Sequence, residues 1–414
     1  MQATHSPTAT ATDQRPPAPA WGGVFALSLG AFALVAAEFM PVSLLTAIAA
    51  DLRVSEGQAG QSIAVSGAFA LIASLALSAL AGGIDRKRLL LALTMLMIVS
   101  GSVAAFAPDY ATFMVGRAFL GVAIGGFWSM SAATAMRLVP AAQVPKALAI
   151  VNGGNALATV VAAPLGSLLG ALVGWRGAFF CLVPVALVAL AWSMLSLPSM
   201  PASALRSRRS MLTLLKSGPV ALGMVAVSLF FMGEFALLTY LRPFLDTVTH
   251  ASAATTALML LLIGVAGFIG TVLIGALVKH HLVRALVAIP LVMAALGLAL
   301  IAFGSSTLAT AALLAVWGLV GTSAPVLWWS WLARTLPDDA ETGGGLMVAV
   351  VQLAIATGAA FGGLLFDAHG YQATFGLSAL ILLVAAAFAA AAAPRDQERL
   401  TKPASDSADN SRVH

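Results

Sequence analysis

The sequence predicts an all-α polytopic membrane protein, with twelve transmembrane helices arranged as two six-helix, pseudo-symmetric bundles. Three observations support this prediction. Of the 414 residues, 60% are apolar and only 9% are charged, a composition outside the range of soluble globular domains. The chain also contains twelve long apolar segments. Two acidic residues within such segments, Glu38 and Glu234, lie 196 residues apart, which indicates a duplicated half.

Each apolar segment meets or exceeds the roughly 20 residues that a helix needs to cross about 30 Å of hydrocarbon. The segments are 21–50, 57–83, 89–107, 110–138, 146–170, 176–197, 218–247, 253–278, 283–303, 308–334, 343–366 and 371–393. A transmembrane barrel is not expected, because the segments lack an alternation of period two. Their many glycine and alanine residues suit close packing of helices in lipid.

The distribution of positive charge predicts the orientation, because Lys and Arg resist translocation across the membrane. With the N-terminus inside, 17 of the 21 Lys and Arg residues lie in cytoplasmic loops and tails, and only Arg53 and Arg176 lie outside. Both termini are therefore expected in the cytoplasm. The net charge of +5 reflects this bias and gives no reason to expect nucleic-acid binding.

One sizeable polar loop, 198–217, divides six spans in 21–197 from six in 218–393. We predict that this loop is a cytoplasmic linker between two helical bundles. The polar segments 1–20 and 394–414 are expected to be disordered cytoplasmic tails, because they cannot bury enough apolar surface to fold.

A parallel repeat relates the two halves. The same offset of 196 residues that separates the two acids places Gly125 on Gly321, Gly166 on Gly362 and Gly174 on Gly370. In membrane transporters that are built from such repeats, the substrate site lies near the midplane between the halves.

Glu38 and Glu234 are the first candidates for proton coupling. An ionisable residue within a membrane span is costly and by default marks a pathway for substrate or protons. Burial disfavours the charged carboxylate, so such a group can exchange a proton. The alternative is a permanently protonated Glu that hydrogen-bonds across helices. Arg242 follows Glu234 by slightly over two helical turns, which predicts a Glu–Arg network on one face.

Residues 81–88 (AGGIDRKR) resemble the loop pattern G-x-L-A-D-R-x-G-R-K of the major facilitator superfamily, although both glycines of the pattern are replaced. In that family the Asp meets the ends and charges of neighbouring helices and latches one conformation. The resemblance therefore implies a gating role for Asp85 and Arg86. A solvated loop explains the basic residues equally well, but it leaves Asp85 unexplained.

Two further motifs resemble those of proton-driven exporters in the same family. Residues 117–126 (RAFLGVAIGG) match the pattern R-x-x-x-G, in which a membrane-embedded Arg is linked to proton coupling. Arg117 can also snorkel to the interface. Residues 152–170 resemble a Gly/Pro antiporter motif. There Gly153, Pro164 and Gly166 are expected to bend the helix and permit its closure against another helix.

Aromatic and amide side chains supply the candidates for substrate binding, because rings stack on a planar ligand and amides bond its edge. The candidates are Phe39, Phe127, Trp128, Asn152, Asn155, Phe235, Tyr240, Trp317 and Gln352. Trp328 is better explained by the aromatic belt at the membrane interface. The chain shows no His, Cys and Asp pattern with catalytic or metal-ligating spacing, so we expect no enzyme activity, no metal and no cofactor.

Within the superfamily, six stretches resemble the purine ribonucleoside efflux pumps of the drug:proton antiporter branch. They are residues 38–46 (EFMPVSLLT), 55–62 (SEGQAGQS), 125–131 (GGFWSMS), 136–140 (MRLVP), 144–148 (VPKAL) and 239–243 (TYLRP). The resemblance implies export of nucleosides such as inosine and guanosine by proton antiport and alternating access. It also implies a monomer in the bacterial inner membrane. Glu234 departs from that pattern, in which an uncharged residue or His is expected.

Two alternatives remain open. A sugar or multidrug proton antiporter of the same superfamily would share all the motifs above. Ser43 and Thr46 favour the nucleoside exporter, since the related sugar exporters have Gly and Pro there. A membrane sensor that does not transport belongs to a different class. It is disfavoured because neither tail contains a soluble output domain.

Overall fold

The computed structural model describes residues 19–80, 84–201, 211–336 and 340–392. The predicted tails, apart from residues 19–20, lie outside these ranges, as do residues 202–210 of the predicted linker. Within the described ranges the chain forms helices and turns and contains no β-strand. The all-α prediction is therefore confirmed.

The described residues contain thirteen α-helices. They are α1 (Trp21–Leu52), α2 (Glu56–Leu80), α3 (Arg86–Ala105), α4 (Tyr110–Leu138), α5 (Val144–Phe180), α6 (Leu182–Ser196), α7 (Met211–Leu214), α8 (Gly218–Leu238), α9 (Leu241–Thr247), α10 (Ala253–Phe303), α11 (Thr307–Gly321), α12 (Ala324–Thr335) and α13 (Ala340–Ala391). In the described part of the chain, ten helical segments are long and apolar enough to cross a membrane.

Two of these ten segments each cover two crossings. Lys146–Ser196 contains 51 residues and Thr342–Ala391 contains 50. At a rise of about 1.5 Å per residue, each would extend roughly 75 Å as one straight helix, more than twice the hydrocarbon thickness. A kink divides each segment, so the described residues form the predicted twelve crossings.

Glycines with positive φ form both kinks. Gly174 has φ 76° and Gly370 has φ 77°, a region that glycine enters at little cost and other residues avoid. These are the two glycines that the sequence repeat aligns, so the duplicated sequence produces a duplicated turn. In the first half, the turn is secured by Asp51, whose carboxylate accepts hydrogen bonds from Trp175 Nε1 at 3.0 Å and from Arg176.

Short polar side chains cap the N-terminal ends of several helices. Asp109 accepts a hydrogen bond from the backbone N–H of Thr112 at 2.8 Å and caps α4. That bond lowers the pKa of Asp109. Ser252 and Ser306 cap α10 and α11 in the same way. These caps satisfy N–H groups that have no partner inside the helix.

Each half packs around its own apolar core. In the first half α1 packs on α5 and α2 packs on α4, and in the second half α8 packs on α13 and α10 packs on α11. The two halves meet along a seam, where α2 contacts α13 and α5 contacts α10. We call the end of the bundle that carries the α1–α2 loop the outer end, because the charge pattern predicts that it faces away from the cytoplasm.

Candidate functional site

A hydrogen bond across the seam joins the carboxyl group of Glu38 to the second half. Glu38 lies in the middle of α1 and is 5% exposed. Its Oε1 accepts a hydrogen bond from Nε2 of Gln352 on α13, at 3.3 Å. The sequence predicts a role in proton coupling for Glu38 and a role in substrate binding for Gln352. The structure brings these two candidates into direct contact.

Arg117 is buried beneath Glu38 and holds α4 against α1 and α2. Its side chain is 1% exposed, so it does not snorkel to the interface. The guanidinium donates to the carbonyl oxygens of Ala37 at 2.8 Å, Glu38 at 3.2 Å and Ser62 at 3.1 Å, and to the Ser66 hydroxyl at 3.0 Å. Arg117 therefore contacts the backbone of Glu38, while the Glu38 carboxyl is turned toward Gln352.

Pro41 explains why a carbonyl group of α1 is open to Arg117. Proline has no backbone N–H, so it cannot donate to the carbonyl group four residues earlier, which is that of Ala37. A carbonyl left without a partner inside a membrane protein costs free energy. Arg117 supplies the missing donor at 2.8 Å, and α1 stays helical through the proline.

Two phenylalanines stack on each other where the halves meet. Phe39 and Phe235 have ring centroids 5.7 Å apart and an interplanar angle of 27°. Each directly follows one of the two buried acids, so the repeated Glu-Phe pair meets itself across the seam. Phe127 and Trp128 make a separate edge-to-face pair within the first half, at 5.6 Å.

The predicted network between Glu234 and Arg242 is wrong. Arg242 instead pairs with Asp246, one helical turn further on, with its Nε 2.8 Å from Asp246 Oδ2. The reason is a break in the helix: α8 ends at Leu238, and Arg242 lies on the separate helix α9. Glu234 is 8% exposed and makes no hydrogen bond or ion pair with any described residue.

The carboxylate of Asp367 closes the outer end of the seam. Its Oδ1 accepts from the backbone N–H of Gly57 at 2.9 Å, and its Oδ2 accepts from the hydroxyl of Ser55 at 2.5 Å. Ser55 also receives the N–H of Gln58 at 3.0 Å, so it caps the start of α2. A carboxylate from α13 thus sits on the positive, N-terminal end of a helix in the other half.

Two predicted functional residues also contribute to this outer closure. The hydroxyl of Tyr240 is fully buried; it donates to the carbonyl of Ala359 in its own half at 2.8 Å and lies 3.5 Å from the carbonyl oxygen of Gly57 in the first half. Arg242 Nη1 reaches into the first half and donates to Ser167 Oγ at 2.9 Å. Tyr240 was predicted to bind substrate and Arg242 to take part in proton coupling, and the structure places both at the closed outer end.

Asp85 joins the α2–α3 loop to the chain that follows α6. Its carboxylate caps α3 by accepting the N–H groups of residues 87–88, and it accepts from Ser199 Oγ at 2.5 Å and from the N–H of Met200 at 2.9 Å. The N–H of Arg86 donates to the carbonyl of Met200 at 3.1 Å. The Ser199 bond, helped by the backbone donors and opposed by partial desolvation, lowers the pKa of Asp85.

The predicted gating residues of α5 lie in different surroundings. Gly153 faces open space, since a Cβ there would meet no atom within 4 Å. Gly166 packs tightly against α1, where a Cβ would lie 2.5 Å from Ser43 Oγ. Pro164 lies inside α5, which nevertheless continues as a helix. Of the two glycines, Gly166 alone mediates a close helix contact.

The other predicted substrate ligands do not form one cluster. Asn152 is exposed and donates to a carbonyl of its own helix. Asn155 is half-buried and makes no hydrogen bond with another described residue. Trp317 is buried in the core of the second half. In the described ranges, no group of three or more His, Cys, Asp or Glu side chains is placed to hold a metal ion.

The sequence does not indicate which residues far apart along the chain become partners. Asp367 meets Ser55 across 312 residues, and Ser199 meets Asp85 across 114. One local signal was present: Ser55 and Gln58 have the spacing of a capping box, which predicts the start of a helix at this position. No local pattern indicates which acid approaches that helix start.

Comparisons with known proteins agree with this architecture. The family model described as Major Facilitator Superfamily matches residues 27–356. Two solved structures of low sequence identity share the fold. A D-xylose-proton symporter aligns with a TM-score of 0.72 at 17% identity, covering 91% of this chain and 98% of that one. The nucleoside transporter NupG aligns with a TM-score of 0.73 at 12% identity, covering 90% and 99%.

Two curated relatives are similar over nearly their whole length. The chain is 60% identical over 381 residues to a Pseudomonas aeruginosa protein named transcription regulatory protein OpdE, covering 91% of this chain and 95% of the relative. It is 39% identical over 373 residues to the purine ribonucleoside efflux pump NepI of Salmonella paratyphi C, covering 90% and 94%. The names of these two relatives point to different functions.

Proposed function

The chain belongs to the major facilitator superfamily, and on that premise we propose that it exports purine ribonucleosides in exchange for protons. It is a multi-pass membrane protein of a family of transporters, and members of this family are not enzymes. The nucleoside substrate is supported by the 39% identical efflux pump. Coupling to protons is supported by the buried acids.

The observation that carries this proposal is the hydrogen bond between Glu38 and Gln352. A carboxyl group at the seam, bonded to the opposite half, changes its interaction with that half when it gains or loses a proton. An ionised Glu38 accepts donors from a ligand or from Gln352, whereas a protonated Glu38 offers a donor of its own. Proton binding and substrate binding therefore compete at one group, which is the requirement for antiport.

Arg117 keeps this carboxyl group in place without neutralising it directly. Its guanidinium is tied to the backbone of α1 and α2, so its position does not depend on the charge of Glu38. The positive charge still favours an ionised Glu38 at close range. Arg117 thus helps the carboxyl to release its proton after each cycle.

The stacked rings of Phe39 and Phe235 are the proposed platform for the purine base. A planar base can insert between them or stack on either face, because aromatic pairs at this separation gain free energy from such contact. Gln352 then lies close enough to Glu38 for both to bond the edge of the base. Phe127, Trp128, Asn152, Asn155 and Trp317 stay candidates for contacts made in other conformations.

The outer contacts must break for export. The bonds from Asp367 to Ser55 and Gly57, and from Arg242 to Ser167, all hold the two halves together at the outer end. Alternating access requires the halves to rock apart there while they close at the other end. We propose that other residues, away from these outer contacts, gate the same motion. They are Asp85, Arg86 and the α5 residues Gly153, Pro164 and Gly166.

The membrane setting proposed with this function is the bacterial inner membrane, with both termini in the cytoplasm. The positive charges of the loops support that orientation. The transported partners are a purine ribonucleoside and protons, and we propose a monomer as the working unit. Export then lowers the cytoplasmic concentration of nucleosides at the expense of the proton gradient.

The test is uptake of radiolabelled inosine into inside-out membrane vesicles with an acidic lumen. The wild-type protein is expected to accumulate inosine, and Glu38→Gln is expected to lose gradient-driven accumulation. Exchange of labelled for unlabelled inosine should survive in Glu38→Gln, because exchange needs no net proton movement. Accumulation of inosine that does not depend on the pH gradient would contradict proton coupling. Transport of arabinose but not inosine would favour the sugar-exporter alternative, and transport of neither would favour a multidrug exporter or a sensor that does not transport.

A role in transcription is the second candidate, because the 60% identical relative is named a transcription regulatory protein. A transporter can change transcription without touching DNA, by changing the concentration of a small molecule that a regulator senses. A sensor that does not transport is the competing explanation. The Glu38→Gln variant distinguishes these two explanations. If the effect on transcription depends on transport, it is lost together with gradient-driven export. If the protein is a sensor, the effect persists.

A further inference from the structure

The carboxyl group of Glu234, on α8, lies inside the second half beside the C-terminal end of another helix, α11. Its Oε1 is 3.2 Å from the position that a Cβ on Gly321 would occupy, and the side chain of Met293 adjoins the same position. Gly321 is the last residue of α11, and the helix is interrupted before α12 begins at Ala324. The absence of a side chain at Gly321 leaves room for this carboxyl group.

No described side chain neutralises or bonds Glu234. The backbone of Gly321 on α11 and the thioether of Met293 on α10 lie near its carboxyl group. No titratable or charged side chain of the described residues interacts with it. Arg242, the nearest basic residue on the following helix, is engaged with Asp246. Glu38 has Gln352 and the charge of Arg117, whereas Glu234 has neither kind of partner.

A cation from solution must therefore neutralise the carboxylate of Glu234, because no described side chain does so. An isolated carboxylate in an apolar interior is strongly disfavoured. The carboxyl-terminal end of α11 adds the negative end of a helix dipole beside it. Hard metal cations need six or more oxygen ligands, and this site offers one carboxyl group. A proton is the cation that a single carboxyl group can hold alone.

Glu234 is connected to the seam through the next residue in the chain, Phe235. Phe235 follows Glu234 and stacks on Phe39, which follows Glu38. A change in charge at either acid can thus shift the ring pair that joins the halves. No electrostatic interaction joins the two acids, so each holds its proton independently of the other.

We propose that Glu234 is a second coupling carboxyl with its own proton, so that two protons enter the cell for each neutral nucleoside that leaves. The proposal rests on the proposed function and specifies its stoichiometry. In one cycle Glu38 and Glu234 each take up a proton at the outer side and release it to the cytoplasm. The cycle moves two positive charges inward, so transport is electrogenic.

The first experiment measures the equilibrium accumulation of inosine in inside-out vesicles, with the membrane potential held at zero by potassium and valinomycin. Each pH unit of gradient gives about tenfold accumulation for every coupled proton. We expect about a hundredfold per pH unit for the wild type and about tenfold for Glu234→Gln, which keeps Glu38. About tenfold in the wild type, or an unchanged hundredfold in Glu234→Gln, overturns the proposal.

The second experiment needs no substrate and therefore tests Glu234 even if inosine is not transported. Dicyclohexylcarbodiimide reacts with protonated carboxyl groups in apolar surroundings. We expect two adducts on the purified wild-type protein by intact-mass spectrometry, mapped to Glu38 and Glu234, with labelling that falls as the pH rises. Glu234→Gln should lose its own adduct and keep the other, and Glu38→Gln should do the converse. An adduct at Glu38 alone overturns the proposal. Two adducts without inosine transport refute the nucleoside assignment only.

Discussion

The amide of Gln352 donates a hydrogen bond to the buried carboxyl group of Glu38 across the seam between the two halves, over 3.3 Å. The two residues are separated by 314 positions in the chain. A bond to a charged acceptor contributes about 1.5–3 kcal/mol. The protonation state of one carboxyl group therefore bears directly on how firmly the halves hold each other.

The first prediction concerns this pair. Gln352→Ala should lower proton-driven inosine transport by about tenfold, which corresponds to a loss of about 1.4 kcal/mol, and Glu38→Gln should lower it further. If the two side chains act through one bond, the double variant should be no worse than Glu38→Gln alone. Additive losses in vesicle uptake would contradict a shared role.

The second prediction concerns the pH dependence that Asp85 confers on stability. Because the folded-state pKa of Asp85 is lowered, its ionised form stabilises the fold at every pH above its ordinary pKa, about 3.9. This contribution is lost as the pH falls through the lower, folded-state pKa. The melting temperature of Asp85→Asn should therefore lie below that of the wild type by a constant amount at neutral pH.

That difference should shrink below about pH 4. The measurement is thermal unfolding in detergent, followed by tryptophan fluorescence. Ser199→Ala is the matched control, since it removes the largest contribution to the shift while it keeps the carboxylate. A gap between Asp85→Asn and wild type that widens in acid would contradict this account.

The third prediction concerns the outer closure. Asp367→Asn weakens the bonds to Ser55 and Gly57, so the outer end should open more often. In a Cys181→Ala background, a cysteine at Ser43 should then react with an impermeant maleimide about tenfold faster. Asp109→Asn is the matched control, because Asp109 is at the same end of the bundle but bonds only its own helix. An equal increase in both variants would argue against a specific closure.

Some of this architecture could be read from the sequence, and the reasons are local. Segment length and hydropathy determine whether a helix crosses the membrane, and the repeat aligns Gly174 with Gly370 by their spacing alone. The burial of Glu38 follows from its apolar neighbours. These properties depend on the order and type of residues along the chain, so a single sequence contains them.

The partners of the functional side chains could not be predicted, because they are set by packing between distant segments. The predicted bond between Glu234 and Arg242 assumed one continuous helix, and the break after Leu238 made Asp246 the nearer partner. Likewise Tyr240 has an aromatic ring suited to ligand stacking, yet its hydroxyl is buried at the outer end between the carbonyl oxygens of Ala359 and Gly57. Residue type alone does not distinguish these roles.

The fourth prediction compares two adjacent glycines in α5. A Cβ at Gly154 would overlap the backbone carbonyl of Ser28 on α1, whereas a Cβ at Gly153 meets nothing within 4 Å. Gly154→Ala should destabilise the protein by about 1–3 kcal/mol, because backbone atoms cannot move aside easily. Gly153→Ala should be neutral or slightly stabilising, since alanine is the better helix former. Thermal unfolding in detergent measures both, and equal melting temperatures would contradict the tight contact of α1 with α5.

The fifth prediction couples Arg117 to Pro41. Arg117→Gln leaves the buried carbonyl of Ala37 without its donor, at a cost of about 1–3 kcal/mol. Pro41→Ala restores a backbone N–H that can bond the same carbonyl within α1. We therefore expect Arg117→Gln to be less destabilising in the Pro41→Ala background, by about 1 kcal/mol. The four proteins of this double-mutant cycle are compared by thermal unfolding.

The same cycle separates the structural role of Arg117 from its electrostatic one. If Arg117 serves only to satisfy the carbonyl of Ala37, Pro41→Ala should also restore proton-driven uptake of inosine in Arg117→Gln. If its charge helps Glu38 to release a proton, stability should recover while uptake stays low. We expect the second result, because the guanidinium bonds the backbone of Glu38 as well and no restored backbone N–H can replace its charge.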